Sequence, residues 1–266
     1  MNDDIKKLIE GMDNVPEGEE PVVDSADAFV KQTIKSCRLF TEPADTVKYY
    51  GEERRAFWNE DSDEVMLLSQ FFNNAIVSGD PESVEIAKAG FEQLEKHDDE
   101  MLHDVIGSVL LCHLDLEELT DLFDPEKQPE FRRYNLAVTA KFHPELMSEE
   151  RKTAVFDSLK KRVKALLKDN PPEAREVFDE ALILGEFGDS RAIPVLRRYA
   201  VLLQKPSDEE YASYEERAKN GEKIKPLEGL TPAMMMWEIC SEIEELGGNA
   251  DDIKAKDPFK HLTYDM

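Results

Sequence analysis

The densest run of side chains with chemical potential lies near residue 100. Residues 97–100 read His-Asp-Asp-Glu, and His103 and Asp104 follow closely. Histidine and carboxylate side chains are the residue types that bind divalent metals. On a helix, however, His97 and His103 would point in different directions, unlike the four-residue spacing of a metalloprotease helix. The spacing therefore favours helix capping and a solvated acidic turn over a metal site.

The remaining candidates for chemistry also indicate structure rather than catalysis. Cys112 and His113 are adjacent, so their side chains diverge on a helix and do not suit a nucleophile and base pair. No glycine-rich phosphate loop, Gly-x-Ser-x-Gly or Cys-x-x-Cys motif occurs. The sequence predicts a protein that is not an enzyme, with no catalytic residues, no metal and no cofactor.

The three cysteines Cys37, Cys112 and Cys240 are far apart and lie in apolar helical contexts. Their odd number and spacing predict buried thiols in a reducing compartment and no disulfide framework. The first residues carry acids where a signal peptide needs basic residues, and no stretch approaches membrane-spanning length. We therefore expect a cytoplasmic protein that does not enter a membrane.

The net charge limits the class of partner. Among 266 residues, 59 are Asp or Glu and 33 are Lys or Arg, which gives a formal charge of -26. Such a charge repels phosphate backbones and argues against nucleic acid as a partner. It attracts basic proteins, or it serves solubility alone.

The elements that must position any site are helices. Apolar residues recur at three- and four-residue spacing along most of the chain, and no convincing alternating strand is present. The pattern predicts an all-α fold with helices over residues 25–37, 61–79, 81–94, 98–113, 115–123, 128–140, 148–168, 173–187, 190–203 and 231–246.

Composition divides the chain into four segments. Residues 1–24 form an acidic lead with eight carboxylates against Lys6 and Lys7, expected to be mobile after a short helix. It is either a simple tail or a means of capturing a basic partner. Residues 25–204 form the helical repeat domain, residues 205–230 a charged insertion or linker, and residues 231–266 a C-terminal capping helix and tail.

Two Gly-Asp pairs interrupt the helices in a similar way. Gly79–Asp80 and Gly188–Asp189 are 109 positions apart, and the same shift places Val84 on Ile193. In both places an apolar helix precedes the glycine and another follows the aspartate. A shift of 109 equals about three periods of roughly 36 residues, a length found in helical repeat arrays.

Residues 184–196, which read Leu-Gly-Glu-Phe-Gly-Asp-Ser-Arg-Ala-Ile-Pro-Val-Leu, resemble the HEAT-repeat signature, especially the short HEAT-like repeats of phycobilisome lyases. Ser190 stands where proline is commoner in that family. The resemblance is clear over residues 173–204 and fainter over residues 62–96. It implies antiparallel helix pairs stacked into an α-solenoid, an ARM-type superhelix with a concave binding face.

The same resemblance bears on activity. HEAT-repeat hydroxylases hold iron with His-Glu dipeptides, and this chain has no such dipeptide, which excludes that subclass. A repeat surface without catalytic groups predicts a non-enzymatic protein that binds a protein partner as a scaffold, adaptor or assembly factor. One alternative is a bilin lyase-like enzyme that acts on a chromophore-carrying protein. Another is an acidic decoy or immunity-type protein that neutralises a basic partner.

Basic residues concentrate in the middle of this acidic chain and could form a docking ridge for an acidic partner segment, or a solvated outer face. Residues 234–237 read Met-Met-Met-Trp, which suits either a partner groove or the core of a terminal helix. The predicted partner-binding residues are Arg151, Lys152, Lys160, Lys161, Lys164, Lys168, Arg197, Arg198, Met235 and Trp237.

Overall fold

The computed structural model of the chain is predominantly helical. It divides into two compact units, Met1–Lys152 and Thr153–Met266, so the boundary falls inside the range predicted as one repeat domain. The structure describes residues 2–19, 21–37, 40, 45–49, 52–56, 62–94, 100–168, 174–203, 216, 219–220 and 232–256.

Among its described residues, the first unit contains seven α-helices and one pair of strands. The next helix begins in the first unit and extends into the second. In chain order these elements are α1 (Asp3–Asp13), α2 (Ala28–Lys35), β1 (Asp45–Tyr49), β2 (Glu52–Ala56), α3 (Ser62–Ser78), α4 (Pro81–Phe91), α5 (Glu100–His113), α6 (Leu116–Leu122), α7 (Glu130–Phe142), a 3-10 turn (Pro144–Leu146) and α8 (Glu149–Leu166).

Helix α5 forms the centre of the first unit and packs against α3, α4 and α7. Its residues Leu102, Ile106 and Leu110 are fully buried, at the helical spacing of four that aligns them on one stripe. The neighbouring α6 begins at Asp115, whose side chain accepts from the backbone of Glu118 in a reciprocal capping box. These helices and their starts agree with the apolar periodicity and the capping residues of the sequence.

The sequence pattern predicted no strand, but the structure contains two, β1 and β2. They pair antiparallel, with Asp45 opposite Ala56 and Tyr49 opposite Glu52. Thr46, Val47 and Tyr49 favour extended backbone because they are β-branched or aromatic. The run lacks the strict alternation of apolar and polar residues that marks a half-buried strand, so the pattern did not reveal it.

The acidic lead was expected to be mobile after a short helix; the structure contains that helix, α1, and buries Val23 of the chain that follows it. Helix α1 packs against α3 and α2. Ile5 and Ile9 are buried, and their spacing of four residues places both on the side that faces the unit. Val23 is also buried, so the chain after α1 continues along the same unit.

The described part of the second unit is a group of helices. After α8 come α9 (Ala174–Glu186), a 3-10 turn (Ser190–Ala192), α10 (Ile193–Leu203), α11 (Pro232–Glu245) and α12 (Asp251–Lys254). Helix α11 packs against both α9 and α10. A Cβ at Gly185 would lie 2.9 Å from the Oε2 atom of Glu242, so the absence of a side chain permits this close approach.

Each unit contains one of the two Gly-Asp turns. Gly79 and Gly188 both adopt the left-handed region, with φ of 59° and 78°. Asp80 caps α4 through the backbone of Ser83, and Asp189 caps the 3-10 turn through the backbone of Arg191. The structure thus confirms the local geometry expected of both pairs.

The predicted insertion at 205–230 lies outside the described residues, except for Glu216, Lys219 and Asn220. The predicted capping segment begins with α11 and continues into α12, which the sequence did not predict.

Candidate protein-binding surface

The predicted partner-binding residues fall in both units. Arg151 and Lys152 belong to the first unit, and the others belong to the second.

Arg151 and Lys152 are engaged within the first unit. The guanidinium of Arg151 donates to the backbone carbonyls of Cys112 at 2.9 Å and Leu114 at 2.6 Å, and so satisfies acceptors at the end of α5. Lys152 forms an ion pair of 2.8 Å with Glu149. These contacts give both residues a structural role at the start of α8.

In the second unit, Arg197 and Met235 are also held by neighbouring residues. Arg197 donates to the backbone carbonyl of Asn249 and binds both carboxylate oxygens of Asp252, at 2.7 and 2.8 Å. The hydrogen bond from Arg197 lowers the pKa of Asp252. Met235 is buried, with its sulfur 4.0 Å from the hydroxyl oxygen of Tyr199. Arg197 therefore joins α10 to α12, and Met235 belongs to the core.

Trp237 and Arg198 differ from those two residues because they face solvent. The side chain of Trp237 is 63% exposed, although its neighbours Met235 and Met236 are buried. Arg198 is exposed and makes no ion pair with the described residues. An exposed tryptophan is a large apolar surface that a partner protein can cover.

The four lysines of α8 and its C-terminal turn form the most distinctive surface of the second unit. Lys160, Lys161, Lys164 and Lys168 line an open groove of about 500 Å³, together with Asp157 and Ala165. Spacings of three and four residues place Lys161, Lys164 and Lys168 on one face of the helix. We call this surface the lysine groove.

The electrostatics of the lysine groove are unusual for so acidic a chain. Lys161, Lys164 and Lys168 are exposed, and none forms an ion pair within the part of the chain that the structure describes. Lysines three and four residues apart repel one another. Their position near the end of α8 offsets part of this cost, because cations interact favourably with the C-terminal end of a helix dipole.

Lys160 has a different environment from its three neighbours. Its Nζ atom donates to the backbone carbonyl of Arg191 at 3.2 Å and lies 5.0 Å from the centre of the Phe156 ring. The guanidinium of Arg191 lies 4.4 Å from the same ring centre. Phe156 therefore supports one edge of the groove by contacts with two cations.

The histidine and acid run near residue 100 is described only in part. Residues 97–99 lie outside the described residues. His103 is buried and packs edge-on against Phe131, with ring centres 4.9 Å apart. Asp104 lies 3.1 Å from Nε2 of His143. No group of three or more His, Cys, Asp or Glu that could hold a metal is present in the described ranges.

Two of the three cysteines are buried, as the sequence predicted, and Cys112 is not. Cys37 and Cys240 are buried, and Cys112 is half-buried. Burial, together with the nearby Glu64, raises the pKa of the Cys37 thiol. The neighbouring His113 turns its Nε2 atom toward the backbone carbonyl of Ile76, at 2.7 Å. Cys112 and His113 therefore have separate structural contacts.

Sequence reasoning missed an apolar surface near the N-terminus, lined by Leu8, Met12 and Phe29. A signal for it was present, because Leu8 and Met12 each follow a buried isoleucine of α1 by three residues. The apolar face of α1 is therefore wider than the stripe that packs against α3.

Comparison with known proteins gives no match: no family model, no curated protein and no solved structure is similar to this chain. Within the described residues, no helix has both the length and the apolar character needed to cross a membrane.

Proposed function

We propose that this chain is a non-enzymatic helical-repeat protein of the α-solenoid class that binds a protein partner as a scaffold, adaptor or assembly factor. Its lysine groove binds an acidic segment of that partner. The observation that carries the proposal is the set of three exposed lysines without an ion pair in the described structure, in a chain with 59 acidic residues.

The proposal of a repeat architecture is supported by two helix pairs, each connected through a Gly-Asp pair. Helices α3 and α4 are joined at Gly79–Asp80, and α9 joins α10 through Gly188–Asp189. Helix pairs of this kind bury their apolar faces by stacking on neighbouring pairs, which leaves long surfaces free to bind partners.

The chemistry of the lysine groove favours a carboxylate-rich segment. An acidic segment would pair with the lysine charges and relieve the repulsion among them. Exposed ion pairs contribute about 0.2–1 kcal/mol each, so several must act together to hold a partner. Nucleic acid is a weaker candidate, because the net charge of -26 opposes the approach of a phosphate backbone.

The test is affinity capture of the tagged protein from its native lysate, with wild type compared with a Lys161→Glu/Lys164→Glu variant. We expect a partner retained by wild type to bind about tenfold more weakly to the variant, which corresponds to the loss of a few exposed ion pairs. Circular dichroism should show that the variant remains folded, because both side chains are exposed.

A Lys6→Glu/Lys256→Glu variant is the matched control, since it makes the same change in net charge at other exposed lysines. It should retain the partner. Equal retention by wild type and the groove variant would show that the lysine groove is not the binding site. Equal loss from both variants would show that bulk charge alone drives binding.

A further inference from the structure

The first unit carries an apolar groove between α1 and the chain that leads into α2. Leu8, Met12 and Val15 line one side, and Val22 and Phe29 line the other, around a volume of about 410 Å³. Val22 is 78% exposed and Phe29 is 52% exposed. We call this surface the N-terminal groove.

The core of the first unit does not need these side chains. Ile5 and Ile9 already bury the inner stripe of α1, and Val23 and Val30 are buried in the adjoining segment. Leu8 and Met12 lie on the adjacent stripe and are half-buried. Apolar side chains that remain accessible together, rather than singly, mark surfaces that bind other molecules.

The chain around the N-terminal groove is strongly acidic. Residues 1–30 contain nine carboxylates against Lys6 and Lys7. Between residues 2 and 30, as far as the structure describes them, the single salt bridge is that of Lys7 with Asp4. Two exposed carboxylates, Asp24 and Asp27, line the groove and make no ion pair with described residues, whereas Lys7, which also lines it, is paired with Asp4.

We propose that the N-terminal groove binds a basic amphipathic segment of a partner protein. The apolar side chains of that segment lie between α1 and Phe29, and its lysines or arginines face the acidic rim. Leu8, Gly11 and Met12 follow the helical spacing of three and four residues, so the groove extends along a face of α1, as in grooves that receive an amphipathic helix.

Gly11 lines the groove and leaves open space beside α1. A Cβ at Gly11 would have no atom within 4 Å, and the glycine has ordinary helical backbone. A larger side chain at this position would occupy the space between α1 and Phe29. It would also favour the helix, because glycine is the poorest helix former after proline.

This binding site is independent of the function proposed above. It lies in the first unit and has an acidic rim, whereas the lysine groove lies in the second unit and is basic. The two surfaces therefore select segments of opposite charge.

The test uses a fluorescent peptide built from Leu-Lys-Lys-Leu-Leu-Lys-Leu heptads, with fluorescence anisotropy measured at about 0.15 M ionic strength, where long-range charge attraction is screened. The control peptide has the same composition in a scrambled order that lacks an amphipathic face. We expect the amphipathic peptide to bind at least tenfold more tightly than the scrambled peptide, because only the former presents a continuous apolar face to the groove.

Two variants of the protein locate the site. Gly11→Leu fills the groove, and Phe29→Ala removes its largest exposed side chain, so each should weaken binding of the amphipathic peptide about tenfold. Val77→Ala is the matched control, because Val77 is 88% exposed and does not line the groove. It should leave binding unchanged.

Several outcomes would overturn the proposal. They are absence of binding by the amphipathic peptide, equal binding by the scrambled peptide, and unchanged binding by Gly11→Leu and Phe29→Ala. Sedimentation of the protein alone provides a further check. If wild type is a dimer and Gly11→Leu is a monomer, the occupant of the groove is a second copy of the chain, and the proposal of a basic partner is wrong.

Discussion

Asp80 and Asp189 each follow a left-handed glycine and cap the helical turn after it, Asp80 through the backbone N–H of Ser83 and Asp189 through that of Arg191, but they bind different cations. Asp80 accepts from Lys31 at 2.6 Å, a residue 49 positions earlier in the chain. Asp189 accepts from Arg191, two positions later, through both backbone and guanidinium. The aspartate of the Gly-Asp pair therefore makes a contact distant in sequence in the first unit, and a contact within the turn itself in the second.

The cations that the two aspartates bind also differ in burial. The side chain of Lys31 is only 9% exposed, whereas that of Arg191 is 46% exposed. Near Asp80, Ser83 also donates to the backbone carbonyl of Ser25 at 2.9 Å, and Asn74 donates to that of Val23 at 2.6 Å. The first turn therefore fastens the segment that contains α2 onto α3 and α4.

The largest expected effect is that of Gly79→Ala. A Cβ at Gly79 would lie 2.6 Å from the Cε1 atom of His113, whose ring is held by the carbonyl of Ile76. Because the steric conflict adds to the cost of a positive φ, we expect Gly79→Ala to lower the free energy of unfolding by about 3 kcal/mol. Gly188→Ala should cost about 1–2 kcal/mol, from positive φ. Hydrogen exchange measures each unit separately.

A double variant, Gly79→Ala with His113→Ala, separates the two causes. Removal of the imidazole relieves the steric conflict, so the double variant should lose less stability than the two single variants together. Strict additivity would mean that His113 is not what excludes a side chain at residue 79.

The next effect is that of removing each aspartate. Asp80→Ala removes a helix cap and a partner of the nearly buried Lys31, and we expect a cost of about 2–3 kcal/mol. Glu82 still lies 3.4 Å from Lys31, which limits the loss. Asp189→Ala should cost about 1 kcal/mol, the usual value of a cap. Urea unfolding, combined with hydrogen exchange, provides the measurement.

A Lys31→Met substitution completes this test. If the ion pair accounts for the difference between the aspartates, Asp80→Ala should cost much less in the Lys31→Met background than in wild type. An unchanged cost would show that capping alone explains the effect of Asp80.

The smallest expected effect is the change in stability at Asp80 as the pH is lowered. Burial opposes ionisation of Asp80, but hydrogen bonds from Lys31 and Ser83 outweigh it, so the pKa of Asp80 is lowered. A carboxylate with a lowered pKa stabilises the fold above its unfolded pKa of about 3.9, and this contribution is lost as pH falls through the folded value. At pH 7 the free energy of unfolding of wild type should exceed that of Asp80→Asn by about 1 kcal/mol, and this difference should disappear in acid.

Asparagine is the appropriate replacement because it caps a helix nearly as well as aspartate. The pKa of Asp189 is also lowered, as Arg191 outweighs the effect of burial. Asp189→Asn should show a weaker dependence on pH, since its partner is more exposed. An equal dependence at both positions would remove the distinction between the two turns.

These turns show how far the sequence could predict the structure. Glycine before aspartate predicts the left-handed residue and the cap, because both depend on nearby atoms. Nothing in the local pattern identifies Lys31 as the partner of Asp80, because that contact depends on how distant elements pack. The same limit applies to Arg132, a buried basic residue whose guanidinium lies 2.8 Å from the carboxylate of Glu92, 40 positions earlier.

The candidate surface was predictable to a similar degree. Helical spacing placed Lys161, Lys164 and Lys168 on one face, and the structure shows them lining one groove. The contacts of Arg151 with backbone carbonyls could not be read from spacing, because an arginine near a helix start has no signal for distant acceptors. The hairpin of residues 45–56 was missed because its residues do not alternate.

The ion pair of Asp80 with Lys31 also has a consequence for the order in which the chain folds. Contacts between residues close in sequence form rapidly, whereas contacts that close long loops form late, because the entropic cost of closure comes first. The turn at Asp189 needs only its immediate neighbours and can form early. The ion pair of Asp80 with Lys31 forms only when two segments 49 residues apart have come together, so we expect the N-terminal segment to dock after the turn at Gly79–Asp80 itself has formed.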